Sequence, residues 1–251
     1  MVMFGRLRLK ISFSRAGLGL LFLALGVLLF SLLFWHLGSL TKGLSPAEAA
    51  ARSSSLSLRA IIDNPIYGPH KILQYAVQKV LGHGALELRV VSVAFGLFFL
   101  GCFYQLAKGW FGKLIWLYAT LFLAATPWLA LSARSATPQI ILLLPLSVIC
   151  FYYWLIRSKS SSAWLALAAA AAALVYLPGG LYLLLIGLAF SRKNLLSAVQ
   201  KLRLWPRVLG IFLVGAILAP LIYAVVQNPS SIKPLVLIPE HWPGVLIFLK
   251  S

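Results

Sequence analysis

The sequence predicts an all-α polytopic membrane protein with about seven transmembrane helices and two amphipathic surface helices in the first outer loop. Of the 251 residues, 61% are hydrophobic and 10% are charged, whereas a soluble domain carries about 25% charged residues. The mean hydropathy is +0.95. The apolar residues form runs of about 20, the length of a membrane-spanning helix. A long polar stretch, residues 45–89, separates the first two runs.

The apolar runs define the membrane-spanning segments in order. The first run follows a basic segment and is too long for the apolar part of a signal peptide, so we expect it to stay as a span. The seven predicted spans are residues 17–37, 88–107, 114–131, 138–156, 162–177, 179–190 and 208–226. They form one module, 17–226, which includes the outer loop 38–87. A cytoplasmic basic N-terminus, 1–16, precedes the module, and a proline-interrupted tail, 227–251, is expected to lie along the outer interface.

Spans five and six are short, and a single long helix across both is the alternative. Pro178-Gly179-Gly180 argues against one helix, because proline and adjacent glycines interrupt helices. Seven spans also place most of the 22 basic residues on the cytoplasmic face, in line with the positive-inside tendency. A merged helix would move the basic segment 192–207 outside. We therefore predict seven spans, with five and six short or forming a re-entrant pair.

The charge pattern excludes one class of partner and places the acids. The net charge is +18, but the basic residues are scattered between apolar runs, which favours contacts with lipid headgroups over nucleic acid. The predicted topology sends every carboxylate and histidine to the outer side. These residues are Glu48, Asp63, Glu87, Glu240, His36, His70, His83 and His241. Proton-transfer chemistry is therefore expected outside the cytoplasm.

The first surface helix begins with a capping-box pattern. Ser45 is the expected N-cap, Pro46 the first helical residue, and the Glu48 side chain would bond back to the Ser45 N–H. Glu48 would also pair with Arg52 four residues later. Two roles for Glu48 stay open and are compatible: a helix cap, or a general base at the mouth of a membrane cavity. Arg52 and Arg59, seven residues apart on one helix face, could bind a phosphate or lipid headgroups.

The second surface helix runs from His70 to Leu81 and has an apolar stripe opposite a polar one. This pattern is typical of a helix that lies on a membrane. His70 and Lys71 at its start are candidate phosphate contacts. The histidines and acids lack metal-ligand spacing, so no metal site is predicted, although a divalent metal stays possible. Cys102 and Cys150 fall inside apolar runs and imply neither a disulfide nor a metal site.

Two further stretches carry a resemblance to a known family. Glu87-Leu88-Arg89-Val90-Val91-Ser92 looks like the family's start of span two, and Thr126-Pro127-Trp128 with Arg134-x-Ala136-x-Pro138 looks like its hairpin between spans three and four. With the acid-bearing first loop, they resemble the GT-C glycosyltransferase superfamily. The nearest branches are the bacterial relatives of protein O-mannosyltransferases and of the aminoarabinose transferase that acts on lipid A. The match covers residues 17–226.

The resemblance implies an integral membrane enzyme; no cofactor is predicted from this sequence, although a divalent metal stays possible. The enzyme would transfer a sugar, with inversion, from a polyprenyl-phosphate carrier to a glycan, lipid or protein acceptor of the cell envelope on the extracytoplasmic face. Matched by position, Glu48 is the second acid of the family's Asp-Glu pair and a candidate base, and Arg134 is its hairpin arginine. In such enzymes basic residues, and in some members a metal, hold the departing phosphate.

The chain also departs from the family pattern at several positions. Ala47 stands where the usual catalytic Asp belongs, and Gln139 replaces the Asp after Pro138. The chain also stops where relatives continue into further spans, which is expected of a fragment or of a short or inactive member. A non-catalytic membrane protein of the same ancestry is therefore the alternative function. A transporter is a third possibility, which the absence of Asp, Glu, Lys and Arg from the span interiors disfavours.

Overall fold

The computed structural model describes residues 43–82, 84–111 and 115–227, together with positions 27, 31, 33, 37, 229, 233 and 235–237. Within these ranges the chain forms α-helices and a 3₁₀ helix, and no β-strand. The α-helices are α1 Pro46–Ser53, α2 Leu58–Asp63, α3 Gly68–Leu81, α4 Ala85–Trp110, α5 Ile115–Ala124, α6 Pro127–Arg134, α7 Leu144–Ser158, α8 Ser161–Leu174, α9 Gly180–Gln200 and α10 Leu204–Gln227. The 3₁₀ helix, Pro138–Leu143, leads directly into α7.

The predicted all-α membrane architecture is confirmed. In the described part of the chain, four helical segments are long and apolar enough to cross a membrane: α4, the segment Pro138–Ser158, α9 and α10. Helices α5 and α6 are bent by 58° at a short break, and together they correspond to predicted span three. Helix α8 is shorter. Predicted span one lies almost wholly outside the described residues, so the number seven stays a prediction.

The break between predicted spans five and six is confirmed. Helix α8 ends at Leu174 and α9 begins at Gly180. Gly179 has a φ of +73°, a conformation that glycine adopts without a steric penalty. A Cβ on Gly180 would collide with the Leu174 carbonyl oxygen. Helix α9 extends beyond the predicted end of span six, through the start of the basic segment to residue 200, and the position at which it leaves the membrane stays a prediction.

Helix α4 lies at the centre of the bundle and packs against α3, α5, α6 and α7. Its approach to α6 depends on a small residue, since a Cβ on Gly96 would lie 2.9 Å from the Ala133 Cβ. Helix α8 uses the same principle, with several buried alanines against α7 and α10. In a bilayer the hydrophobic effect does not drive helices together, so close contact between small residues contributes much of their association.

The helices alternate in direction, which gives the bundle two chemically different ends. One end holds the start of α4, the start of the 3₁₀ helix and the α8–α9 break. The other end holds the end of α4, the α7–α8 turn and the α9–α10 turn. In the described part of the chain this second end is rich in basic residues: Lys108, Arg157, Lys159, Arg192, Lys193, Lys201, Arg203 and Arg207. We call it the basic end.

Candidate functional site

The candidate site lies at the end of the bundle opposite the basic end, where α1 meets α4. The predicted capping box at the start of α1 is confirmed. Ser45 is the N-cap and Pro46 opens the helix. The Glu48 N–H donates to Ser45 Oγ at 3.3 Å, and the Ser45 N–H donates to Glu48 Oε2 at 3.0 Å. These reciprocal bonds fix the Glu48 side chain against the helix start.

Glu48 forms a buried bidentate ion pair with Arg89 of α4. Arg89 Nε lies 2.8 Å from Oε1 and Arg89 Nη2 lies 2.9 Å from Oε2. The two residues are 4% and 1% exposed. Arg89 also donates to the carbonyl oxygens of Leu37 and Gly43. The predicted pairing of Glu48 with Arg52 is therefore wrong, because the carboxylate points into the protein and away from the surface of α1.

The surroundings of Glu48 stabilise its ionised form. Burial raises the pKa, but hydrogen bonds from Arg89, the Ala136 N–H and the Ser45 N–H, with the charge of Arg89, outweigh it and lower the pKa to about 2. Each carboxylate oxygen accepts two hydrogen bonds. Glu48 is thus ionised at neutral pH, but in this arrangement its oxygens are fully engaged. Its role as a base stays a prediction.

A three-residue turn, Ser135–Thr137, is the point at which the surrounding helices converge. The Ala136 N–H donates to Glu48 Oε1 at 3.0 Å, and its carbonyl accepts from Gln74 Nε2 at 2.7 Å. The Thr137 carbonyl accepts from Ser92 Oγ at 3.5 Å. Side chains of α1, α3 and α4 therefore hold one turn, which follows directly after Arg134 at the end of α6.

Helix α3 is amphipathic as predicted, but its polar face does not lie in water. Among its polar residues, His70, Lys71, Gln74 and Gln78 are buried against the protein. Its large apolar residues, by contrast, point outward. Those that are exposed are Ile72, Leu73, Val80 and Leu81. The helix thus presents an apolar face to the surroundings and supplies polar groups to the interior, as expected of a helix beside a bilayer.

His70 is an internal residue of the site. Its Nε2 lies 3.0 Å from Ser92 Oγ, and its ring stacks on Phe95 with centroids 5.7 Å apart. Burial, with the positive charge of Lys71, lowers the pKa of His70 to about 4. The imidazole is therefore neutral at physiological pH. A phosphate could reach it only if α3 moved, so the predicted phosphate contact requires a rearrangement.

Lys71 lies next to the loop that precedes α3. Its Nζ donates to the Asn64 carbonyl at 2.8 Å. Burial lowers the pKa of Lys71 to about 8, so the amine is still mostly protonated at neutral pH. Lys71 thus supplies a cation whose described hydrogen bond is to a neutral carbonyl. Because Lys71 is only 5% exposed, a phosphate could replace that carbonyl only if the loop before α3 moved.

The two arginines of the first surface segment are not on one helix. The predicted continuous helix is wrong, because α1 ends at Ser53 and α2 begins at Leu58. Arg52 is half-buried and Arg59 is exposed. Arg134 is half-buried at the end of α6, beside the Ser135–Thr137 turn.

Sequence reasoning missed Arg89, Gln74 and Ser92 as site residues. The signal for Arg89 and Ser92 was a charged and a polar residue one helical turn apart at the start of an otherwise apolar span.

Within the described ranges, no three His, Cys, Asp or Glu side chains are close enough to share a metal ion. The described residues of the Glu48 network therefore do not build a metal site.

Comparison with protein-family models finds no match, and comparison with curated protein sequences finds none either. Comparison with solved structures finds ArnT from Cupriavidus metallidurans in the apo state, with a TM-score of 0.60 and 21% sequence identity over 90% of this chain. The chain spans 45% of the length of that ArnT chain. The two chains share a fold, and the all-α membrane fold predicted from the sequence is thereby confirmed.

Proposed function

We propose that this chain is a membrane glycosyltransferase of the GT-C type, which transfers a sugar from a polyprenyl-phosphate carrier to a cell-envelope acceptor on the extracytoplasmic face. The observation that carries the proposal is the buried network in which Glu48 pairs with Arg89 and holds Ala136, in a chain with the fold of ArnT. The network joins the three stretches on which the sequence resemblance rests. They therefore belong to one site.

In the proposed reaction an acceptor oxygen attacks the anomeric carbon of the carrier-linked sugar from the side opposite the phosphate. The new bond forms as the bond from the anomeric carbon to the phosphate oxygen breaks. The phosphate leaves with that electron pair on the polyprenyl carrier, and the proton of the acceptor passes to a base. Attack from the opposite side inverts the configuration of the sugar.

The departing phosphate needs positive charge nearby. We assign this role to Lys71, Arg52 and Arg134. Lys71 is mostly protonated, and a movement of the loop before α3 would exchange its described hydrogen bond to the Asn64 carbonyl for one to a phosphate oxygen. Arg52 and Arg134 lie on α1 and at the end of α6, two elements that the Glu48 network joins. Arg59, which is exposed on the separate helix α2, fits a lipid headgroup better.

Glu48 can act as the base only if it exposes a lone pair. A base with a pKa of about 2 has a weak drive to accept a proton, since efficient bases have pKa values near the working pH. Release of the Ala136 N–H when substrate binds would free Oε1 and raise the pKa. The role that needs no rearrangement is positional: Glu48 holds Arg89 and the Ser135–Thr137 turn in place.

Transfer from labelled polyprenyl-phosphate sugars, measured with the full chain in vesicles, tests the function. Glu48→Gln should abolish transfer, and Asp63→Asn, which removes an exposed acid of the same loop, should not. The double variant Glu48→Gln/Arg89→Gln separates the two roles of Glu48. If Glu48 only holds the turn, removal of both charges should recover part of the activity; if it is the base, activity stays lost. Wild-type activity in Glu48→Gln would overturn the proposal for this residue.

One observation favours a second candidate, a non-catalytic protein with the same fold. Ala47, at the position of the family's usual Asp, is exposed on α1, whereas Glu48 beside it is buried. An acid at position 47 would have free lone pairs, and this chain has none there. Absence of transfer from every donor tested, by protein that retains its fold, would favour this candidate.

A further inference from the structure

A cavity lies at the basic end of the bundle, remote from the Glu48 network. Its volume is about 940 Å³, and it opens between the later halves of α4 and α7. Binding pockets for small molecules measure roughly 300–1,000 Å³, so this cavity is large enough for a sizeable ligand. The Glu48 network does not line it.

The cavity changes in polarity along the helix axes, from the middle of α4 and α7 to their ends, where its mouth lies. The wall nearer the middle of α4 and α7 is apolar and partly exposed, with Leu97, Phe98 and Phe151 among its residues. The mouth carries Lys108 at the end of α4 and Arg157 at the end of α7. A ligand that fits this gradient has a hydrocarbon part and a polar, negatively charged head.

Aromatic rings hold the two cations of the mouth without neutralising them. Lys108 Nζ lies 5.8 Å from the centre of the Tyr104 ring, and the Arg157 guanidinium lies 5.7 Å from that of Tyr153. Arg157 also donates a hydrogen bond to the Tyr153 hydroxyl. Such contacts orient a cation and leave its charge available to an anion.

No Asp or Glu is found among the described residues that line the cavity. The ion pair found in the described ranges, Glu48–Arg89, lies at the opposite end of the molecule. Lys108 and Arg157 therefore present positive charge at the depth where an apolar span meets the headgroup region. Anionic headgroups are attracted to basic residues at this level.

We propose that this cavity binds an anionic phospholipid of the adjacent leaflet. The phosphate lies between Lys108 and Arg157, and one acyl chain lies along the apolar wall towards Phe98. Ser158 and Gln105 at the mouth are available for hydrogen bonds to the headgroup. This site is independent of the proposed transferase function, because it shares no residue with that site.

Native mass spectrometry of the purified full chain tests the proposal, with phosphatidylglycerol and phosphatidylcholine of identical acyl chains as probes. The wild-type protein should retain one phosphatidylglycerol in preference to phosphatidylcholine. Lys108→Gln/Arg157→Gln should weaken phosphatidylglycerol binding by about tenfold or more, because two cations near the headgroup are lost. Both side chains are exposed, so the substitutions leave the fold intact.

A second variant tests the apolar wall. Gly101 lines the cavity, and a Cβ there would meet no atom within 4 Å, so Gly101→Leu would place an apolar side chain in the cavity from an open position. It should also reduce lipid retention. Arg192→Gln/Lys201→Gln is the matched control, because it removes two exposed charges of the basic end outside the cavity, and it should bind like the wild type. Equal retention of both lipids, an unaffected Lys108/Arg157 or Gly101 variant, or an equal loss in the control would each overturn the proposal.

Discussion

Replacement of Glu48 by glutamine should destabilise the protein by about 3–5 kcal/mol, the usual effect of breaking a buried ion pair. Arg89 is 1% exposed and would lose its charged partner. Its other described hydrogen bonds go to the carbonyl oxygens of Leu37 and Gly43. The lowered pKa of Glu48 gives a similar value for the stabilisation by the ionised carboxylate. A fall from its ordinary value of 4.5 to about 2 corresponds to about 3 kcal/mol at neutral pH.

The double variant tests whether this effect belongs to the pair. Arg89→Gln alone should be similarly destabilising, because it leaves a buried carboxylate without its partner. The combined Glu48→Gln/Arg89→Gln variant should be less destabilised than the sum of the single variants, by about 2 kcal/mol or more. The reason is that the double variant has two neutral glutamine side chains and leaves no unpaired charge buried.

Thermal unfolding of the detergent-purified protein at pH 7 measures these differences. For a chain of this size, about 3 kcal/mol lowers the Tm by roughly 10 °C. Asp63→Asn is the matched control, since it removes an exposed carboxylate from the same loop, and it should leave the Tm unchanged. A Glu48→Gln protein that melts with the wild type, or strictly additive effects in the double variant, would refute the reasoning.

Three further predictions concern other parts of the molecule. Ala47→Asp, which places an exposed acid beside the network, should raise the rate of sugar transfer at neutral pH, and a rate no higher than wild type would count against position 47 as the place for a base. Because the pKa of His70 is lowered in the folded protein, the unfolded chain binds a proton more readily below pH 6.5. The free energy of unfolding should therefore fall by about 3 kcal/mol as the pH drops from 6.5 towards 4. The free energy of unfolding of His70→Gln should lack that pH dependence. Gly96→Leu should lower the Tm through overpacking against Ala133, whereas Gly101→Leu in the same helix should not, and equal Tm values would contradict the packing described for α4 and α6.

Local patterns allowed correct prediction of several features. The capping box of α1 depends on residues three apart, and the break before α9 depends on adjacent proline and glycines, so both were predictable from short segments. The amphipathic pattern of α3 was predictable as well. Which face of α3 packs against the protein was not predictable, because beside a membrane the apolar face of a helix can turn outward to the lipid.

The missed partner of Glu48 depends on a long-range contact, whereas two other missed features are local. Arg89 lies 41 positions from Glu48 along the chain, and no local rule favours it over Arg52, which has the preferred spacing of a helical pair. The break between α1 and α2 had a local signal, the serines at 53–55 and Ser57, which accepts the capping bond of α2. The basic residues after position 190 gave no signal that would end a helix, so α9 continues to Gln200.

Every step of the proposed transfer requires α1 to face the extracytoplasmic side, and labelling of Ala47→Cys tests this most directly. Position 47 is exposed, whereas the native Cys102 and Cys150 are buried. A membrane-impermeant maleimide should react with Ala47→Cys in intact cells and with Lys201→Cys, at the basic end, only after permeabilisation. The reverse pattern would place the Glu48 network in the cytoplasm and contradict the proposed function.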